Sequence, residues 1–396
     1  MSANLSVAFL DESIRRKPPA AAQYNWITGS LDITPEQIDL PLLPVDDILL
    51  PKDSTVTLLA TENGSQLFIS GFGLFVGKKS ERVVVRKDKS VCAQVPLLRL
   101  QEIIIASRGV SFSSDLLEEL CERGIRVAYL TSSGKPFALV TSPMLTATVE
   151  TRRAQLEAGN NGRGADLCRW IVAGKLRNQE KLMRYFGKSR DGERRSALEN
   201  AAGSLRKLRR AALGVDGSSP DEVRAELMGL EGTGGRMYWK EIGNMLPVGL
   251  GFVGRSHQGA TDAVNAAINY GYGILTSHVW GAVMNAGLEP FAGFLHVDRS
   301  GKPSLVLDLV EEFRQPVVDR AIFSWLNKGG QLTLVKGLLD GASRENVASR
   351  VLMRLTATEQ HRGKQHQIRS IVQMQARLAA SAVRGLRPYR SFSFKW

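Results

Sequence analysis

Glu231, His296 and the pair Asp308 and Glu311 carry side chains of the kind that hold hard divalent cations. Oxygen donors with one imidazole suit Mg²⁺ or Mn²⁺, ions that act on phosphate esters as Lewis acids. Asp308 and Glu311 stand three positions apart in Pro303–Pro316, a segment that reads as a helix starting at Pro303 or Ser304 and stopping before Pro316, so they share a face. Leu305, Val306, Leu307, Leu309, Val310 and Phe313 surround them, and a bare carboxylate buried there is costly without a cation or hydrogen-bond donors. Arg314 or Arg320 would make the pair a purely structural salt bridge. His296 closes the apolar segment Phe291–Val297, and the turn Asp298–Gly301 sends the chain back toward Glu311. Alone it reads as a satisfied turn histidine; His257, His278, His361 and His366 lack even that setting. Glu231 begins Glu-Gly-Thr-Gly-Gly-Arg-Met-Tyr-Trp239, which has no preceding strand and no Gly-Lys-Ser/Thr ending, so it is neither a Walker nor a Rossmann loop. Its small residues instead let helices or DNA approach closely.

Two textures of sequence must position these groups. From Thr55 to Ile105, short β-branched and aromatic runs alternate with turn residues, as in a small β-rich domain. A short helix over Ser113–Arg123 with Gly124 past its end, a strand Ile125–Leu130 and a turn at Ser132–Pro136 complete that domain near Pro143. Thereafter helical spacing dominates: Glu150–Ala158, Asp166–Tyr185, Arg194–Leu213, Asp221–Leu230, Thr261–Asn285, Val317–Lys328 and Arg354–Val383. The reading is an α+β chain with a leader over residues 1–53, a sandwich-like β-rich domain over 54–143 and a mainly α-helical domain over 144–396. Six prolines interrupt the leader, which reads as loosely structured.

Charge narrows the partner. Lys and Arg outnumber Asp and Glu by 52 to 39, a net charge of +13 that favours nucleic acid or an anionic surface. Basic residues crowd Arg152–Arg210, including Lys175 and Arg177, as either a solvated helical face or a row of phosphate contacts. Trp170, Tyr185 and Phe186 among them are either base-stacking or core residues. No apolar run is long enough for a membrane span and Met1–Ala22 lacks a signal-peptide centre, so a soluble cytoplasmic protein is expected. Cys92, Cys121 and Cys168 lack metal or disulfide spacing and read as small buried hydrophobes.

Four ordered motifs carry a family resemblance: Glu231-Gly-Thr-Gly-Gly-Arg-Met-Tyr-Trp239, the run from Gly254-Arg-Ser-His to Asn269-Tyr-Gly-Tyr272, Gly293-Phe-Leu-His296, and Leu307-Asp-Leu-Val-Glu-Glu-Phe-Arg314. Arg152–Gln155 and Lys175–Gln179 extend it upstream. The chain from about Thr55 onward resembles the CRISPR-associated integrase of the adaptation module, the larger of the two proteins that insert spacers into CRISPR arrays. The resemblance implies an N-terminal β-rich dimerisation domain and a helical catalytic domain. It also implies Glu231, His296 and Glu311 as ligands to Mg²⁺ or Mn²⁺, with Asp308 as a supporting catalytic carboxylate. By the same token Lys175, Arg177, Arg236, Tyr238 and Arg255 are candidates for nucleic-acid contacts. The implied partners are double-stranded DNA (prespacer and CRISPR repeat), a second copy of the chain and the small ferredoxin-like adaptation protein, with no membrane. The implied reaction is attack of a spacer 3′-hydroxyl on a repeat phosphodiester. A metal-dependent nuclease on branched DNA that integrates nothing, and a non-catalytic DNA-binding scaffold, are the alternatives. Two features depart from the family: His257–Ala260 stands where a basic Pro-Pro stretch is common, and residues 1–53 lie outside the match.

Overall fold

The computed structural model describes residues 55–61, 64–142, 148–256 and 262–395, and the backbone of two short strands, β1 (Tyr24–Asn25) and β2 (Ser30–Leu31). Those two strands pair antiparallel within a first unit, Met1–Val45; everything below belongs to the second, Asp46–Trp396. The rest of the expected leader, and the departure at residues 257–260, lie outside the described residues.

The β-rich part is a two-sheet sandwich. Strands β3 (Val56–Thr61), β4 (Gly64–Ile69), β8 (Leu100–Ile105), β10 (Arg126–Leu130) and β11 (Pro136–Val140) form one sheet in the order β11-β10-β8-β4-β3. Strands β5 (Leu74–Lys79), β6 (Arg82–Lys87), β7 (Ser90–Pro96) and β9 (Ser111–Phe112) form the other, ordered β7-β6-β5-β9. Side chains alternate across a strand, so Leu67, Ile69, Ile103 and Ile105 face the opposing sheet beside Val76, Val83, Val85 and Val95. Leu116 and Leu120 of α1 (Ser114–Glu122) seal that core. Phe68, Ile104 and Leu130 point the other way and join the helical core. Burial on both faces explains why Ile103–Ile105 is an unbroken apolar run. β11 adds to the expected strands; it forms because the turn at Ser132–Pro136 returns the chain antiparallel along β10.

The remainder is helical: α2 (Thr148–Ala158), α3 (Gly162–Gly187), α4 (Gly192–Leu213), α5 (Pro220–Met245), α6 (Ala263–Asn285), α7 (Ser304–Val310), α8 (Arg320–Leu326), α9 (Gly341–Thr356) and α10 (Ile368–Val383). This is the expected α+β arrangement, strands first and helices after. α6 is buried around nearly its whole girth and serves as the central post. Where β10 turns into β11, the Gly134 carbonyl lies so close to Gly273 of α6 that an added Cβ would sit 1.7 Å from it. α5 begins with a proline at its first turn and with Ser219 Oγ accepting the Glu222 amide as its N-cap, while the Glu222 carboxylate accepts the Ser218 amide.

Three expectations require correction. The helix expected over Arg354–Val383 is broken by a hairpin, β14 (Thr358–His361) and β15 (Lys364–Gln367), whose turn sets Arg362 and Gly363 at φ 48° and 84°. A second hairpin pairs β12 (Leu334–Val335) with β13 (Leu338–Leu339). The helix from Ser304 does not stop at Pro316 either: after Val310 the chain passes through a turn and a π-helical segment, Arg314–Asp319, into α8. Pro316 has no N–H to give and its ring crowds the preceding turn, which the wider π spiral relieves. Asn178 of α3 donates to the Glu312 carbonyl at 2.7 Å, satisfying an acceptor that a regular helix would bond to residue 316. Of the cysteines only Cys168 is fully buried; Cys92 and Cys121 are half-buried. Among the described residues no helix is long and apolar enough to cross a membrane.

Candidate metal and nucleic-acid site

Glu231 lies midway along α5, and Glu311 sits at the C-cap of α7. Both converge on Lys175 of α3: its ammonium pairs with Glu231 Oε1 and lies 2.7 Å from Glu311 Oε2. Gly234 allows this convergence. A Cβ there would stand 2.3 Å from Leu176 Cδ2, so α3 and α5 approach at the turn that carries Lys175 and Glu231. The Gly-rich stretch is thus a helix-packing surface and not a loop. On the other side Arg314 Nη2 reaches Glu311 Oε1 at 3.0 Å, while its guanidinium stacks 4.6 Å from the Tyr272 ring centre.

These contacts set the charge state. Burial alone would raise Glu311, but Arg314, Lys175 and His296 overcome it and hold the carboxyl at about 2. Burial would lower Lys175, and Glu311 and Glu231 instead keep it raised. Asp319, between Tyr238 and Tyr272, goes the other way: burial pushes it to about 6 although both hydroxyls donate to it at 2.6 Å. Glu312 faces away from Glu311 into the C-terminal segment, where Tyr389 Oη and the Phe392 amide donate to it, and burial lifts it to about 7.

His296 is held by Asp308. Asp308 Oδ2 accepts the amides of Phe294 at 2.7 Å and Leu295 at 3.1 Å; Oδ1 accepts the His296 amide at 2.9 Å and the His296 ring through Nδ1 at 2.7 Å. A fully buried carboxylate with four donors fixes both loop and ring, and it fixes the tautomer that leaves Nε2 bare. Gln155 of α2 clamps the start of the same loop, donating to the Glu289 and Ala292 carbonyls and accepting the Glu289 amide. His296 lines a cleft of about 440 Å³ with Arg224, Arg299 and Lys302. Lys302 also lines a larger cavity of about 750 Å³ with Lys135, Arg255, Arg314, Tyr272 and Trp280.

Among the described residues, no three His, Cys, Asp or Glu side chains close into a ligand cluster. The structure pairs Glu231 with Glu311 and His296 with Asp308, as two neighbouring halves. The fit to a divalent ion rests on the donors themselves. Two carboxylates already share one cation, and the imidazole is oriented by a carboxylate. Asp308 has all its acceptor capacity committed to the loop amides and the His296 ring.

The expected nucleic-acid contacts divide. Arg177 is exposed on α3, and Arg236 is exposed on α5 with Nη2 on Thr233 Oγ1 at 3.0 Å. Arg255 is tied to Asn265 and Asn269 and lies over Trp239 and Tyr272, yet still lines the large cavity. Tyr238 is fully buried with its hydroxyl on Asp319, so it belongs to the core and cannot reach a duplex. Lys175 belongs to the carboxylate pair. Phe186 is buried, so it belongs to the core, and Trp170 and Tyr185 are half-buried against the core under Arg390 and Arg320. Of the two arginines expected as salt-bridge partners, Arg314 pairs with Glu311 and Arg320 pairs with Glu359 instead; Asp319 is a site residue that spacing did not single out.

Comparison with known proteins places this architecture. Solved structures with the same fold include a casposase bound to integration product (TM-score 0.69, 20% identity, 82% of this chain and 92% of that one). A Cas1 protein from Thermotoga maritima is similar to a TM-score of 0.66 at 18% identity, over 82% of this chain and 99% of that one. The family described as CRISPR associated protein Cas1 matches residues 67–337. The chain is 33% identical to CRISPR-associated endonuclease Cas1 1 of Archaeoglobus fulgidus over 84% of its own length and 100% of the relative's. It is 31% identical to the protein of the same name from Francisella tularensis subsp. novicida, over 83% and 99%. This chain belongs to the Cas1 family.

Proposed function

We propose that the protein is a metal-dependent DNA endonuclease and integrase that joins a spacer 3′-hydroxyl to a phosphodiester at the boundary of a CRISPR repeat. The observation that carries this reading is the meeting of Glu231 and Glu311, from two helices, on a single cation beside the Asp308-oriented His296. Membership of a family whose relatives are named CRISPR-associated endonucleases supports it. So does the likeness in fold to a casposase bound to integration product.

Glu231, His296 and Glu311 would hold Mg²⁺ or Mn²⁺, which when bound supplies Lewis-acid stabilisation of charge on the phosphoryl group and the leaving oxygen. In the reaction the spacer 3′-hydroxyl releases its proton to solvent as its oxygen bonds to phosphorus, the bond to the repeat 3′-oxygen breaks, and that oxygen takes up a proton from solvent. The protein's share is positioning. Asp308 fixes the imidazole, Arg314 keeps Glu311 ionised and in place, and Arg224, Arg299 and Lys302 flank His296 where phosphate oxygens would lie. Double-stranded prespacer and repeat DNA are the substrates in this reading. The working assembly pairs copies of the chain through the β-rich domain with the small ferredoxin-like adaptation protein, in the cytoplasm.

Supplying a labelled duplex with a free 3′-hydroxyl, the small partner and repeat DNA separates integration from cleavage alone. Joined product that disappears in His296→Ala supports the reading; cleavage without joining replaces it by a branched-DNA nuclease.

A further inference from the structure

Resting on that metal reading, we propose that Lys175 is the resident counter-cation of the site: in the metal-free protein its ammonium holds the place between Glu231 and Glu311, and a divalent ion loads only by displacing it. Three observations lead there. First, among the described residues Lys175 is the one group that ion-pairs with both carboxylates, and its side chain is only 13% exposed. Second, the charges already balance. Glu231 and Glu311 carry two negative charges, Lys175 and Arg314 two positive ones, so a dication arriving with all four in place would leave an uncompensated double charge in a largely buried site. One cation must yield. Third, only one can. Arg314 is stacked on Tyr272 and bonded to Glu311 Oε1, whereas Lys175 ends a flexible four-carbon stem and meets Glu231 and Glu311 through its ammonium.

The consequence is a site that stays assembled without metal and binds it by exchange. Carboxylates that would otherwise repel are held together by Lys175, and metal affinity is reduced by whatever it takes to move the ammonium. Lys175 is therefore a positioning residue that sets metal affinity, distinct from the donors themselves.

The test is Mn²⁺ binding to the full chain without DNA, read by electron paramagnetic resonance of the free ion, for wild type, Lys175→Met, Lys175→Arg and Glu231→Gln. Lys175→Met should bind Mn²⁺ at least tenfold tighter than wild type and gain more thermal stability from it. Lys175→Arg, which substitutes a forked and permanent cation, should bind it more weakly. Glu231→Gln should bind least. Equal or weaker binding by Lys175→Met, with Glu231→Gln still impaired, overturns the proposal and leaves the metal site standing. Should Lys175→Met fail to fold, Lys175→Arg decides alone, and unchanged or tighter binding by it refutes the exchange. Binding that is indifferent to Glu231→Gln instead removes the metal site, and the Lys175 proposal with it.

Discussion

The carboxylate of Asp308 lies 2.7 Å from Nδ1 of His296 and accepts the backbone amide of the same residue at 2.9 Å. One buried side chain thus sets the path of the loop and the rotation of the ring it carries. The aspartate of the Leu307–Arg314 motif works as a scaffold, and in the proposed metal site the glutamate three residues on would be the ligand.

Asp308→Asn should therefore harm both stability and activity. Each oxygen of Asp308 faces two N–H donors, so whichever way an amide is turned, its NH₂ meets donors it cannot satisfy. A loss of about 3 kcal/mol or more is expected from removing charge-assisted bonds inside the core. Denaturant unfolding measures it, and strand joining should fall to background even at temperatures where the variant is folded. A variant with wild-type stability would show that the four contacts do not hold the loop.

The stability profile against pH follows from the buried carboxyls. Glu312 is raised from 4.5 to about 7 and Asp319 from 3.8 to about 6, so between those values the folded state binds more protons than the unfolded. Their contribution to stability then declines as pH rises from about 4 to about 7, while His361, lowered from 6.5 to about 4 by burial, and His278, also lowered by burial, contribute in the opposite sense over the same range. Glu311 and Glu102 are lowered to about 2, so their contribution is present above about 4.5 and lost as pH falls toward 2. Glu312→Gln removes one declining contribution, so its stability relative to wild type should improve as pH rises from about 5 to 7. A Glu312→Gln variant whose stability keeps a constant difference from wild type across that range would contradict this assignment.

Helix packing around Lys175 gives a matched pair of variants. Gly234→Ala places a methyl against Leu176 and Leu205, both buried, and should cost about 1–3 kcal/mol while loosening the Lys175–Glu231 contact. Gly235→Ala, one residue on, meets nothing within 4 Å and should gain about 0.5–1 kcal/mol as an ordinary helix substitution. Thermal melting of the two proteins in parallel distinguishes a close-packing glycine from a flexible one; equal shifts would refute the close approach of α3 and α5.

Much of this is legible in the sequence alone. Short β-branched and aromatic runs between turn residues mark the sandwich strands, and the three-residue step from Asp308 to Glu311 puts both carboxylates on one face. The pairing of Lys175 with Glu231 is not legible, because 56 residues separate them and nothing local marks one lysine among sixteen basic residues between Arg152 and Arg210. Tyr238 is misplaced for a related reason: helical spacing shows that a residue has a face, not whether that face meets solvent or Asp319. Pro316 and the Arg354–Val383 run fail differently. A proline normally ends a helix, yet here a π turn and the Asn178 bond absorb it, and a turn with two left-handed residues breaks a sequence that otherwise keeps helical periodicity.

The central claim, that Glu231 and Glu311 form one metal site that serves DNA joining, is tested most directly by a strand-transfer titration. Wild type, Glu231→Gln, Glu311→Gln and Glu312→Gln would be assayed with a 3′-hydroxyl donor, repeat DNA and increasing Mg²⁺ or Mn²⁺ after removal of metal by EDTA. The account predicts metal-dependent joined product from wild type and Glu312→Gln, and loss of at least a hundredfold in both Glu231→Gln and Glu311→Gln, about 3 kcal/mol in the barrier. Joining that persists in EDTA, or Glu311→Gln working at the wild-type rate, would contradict it.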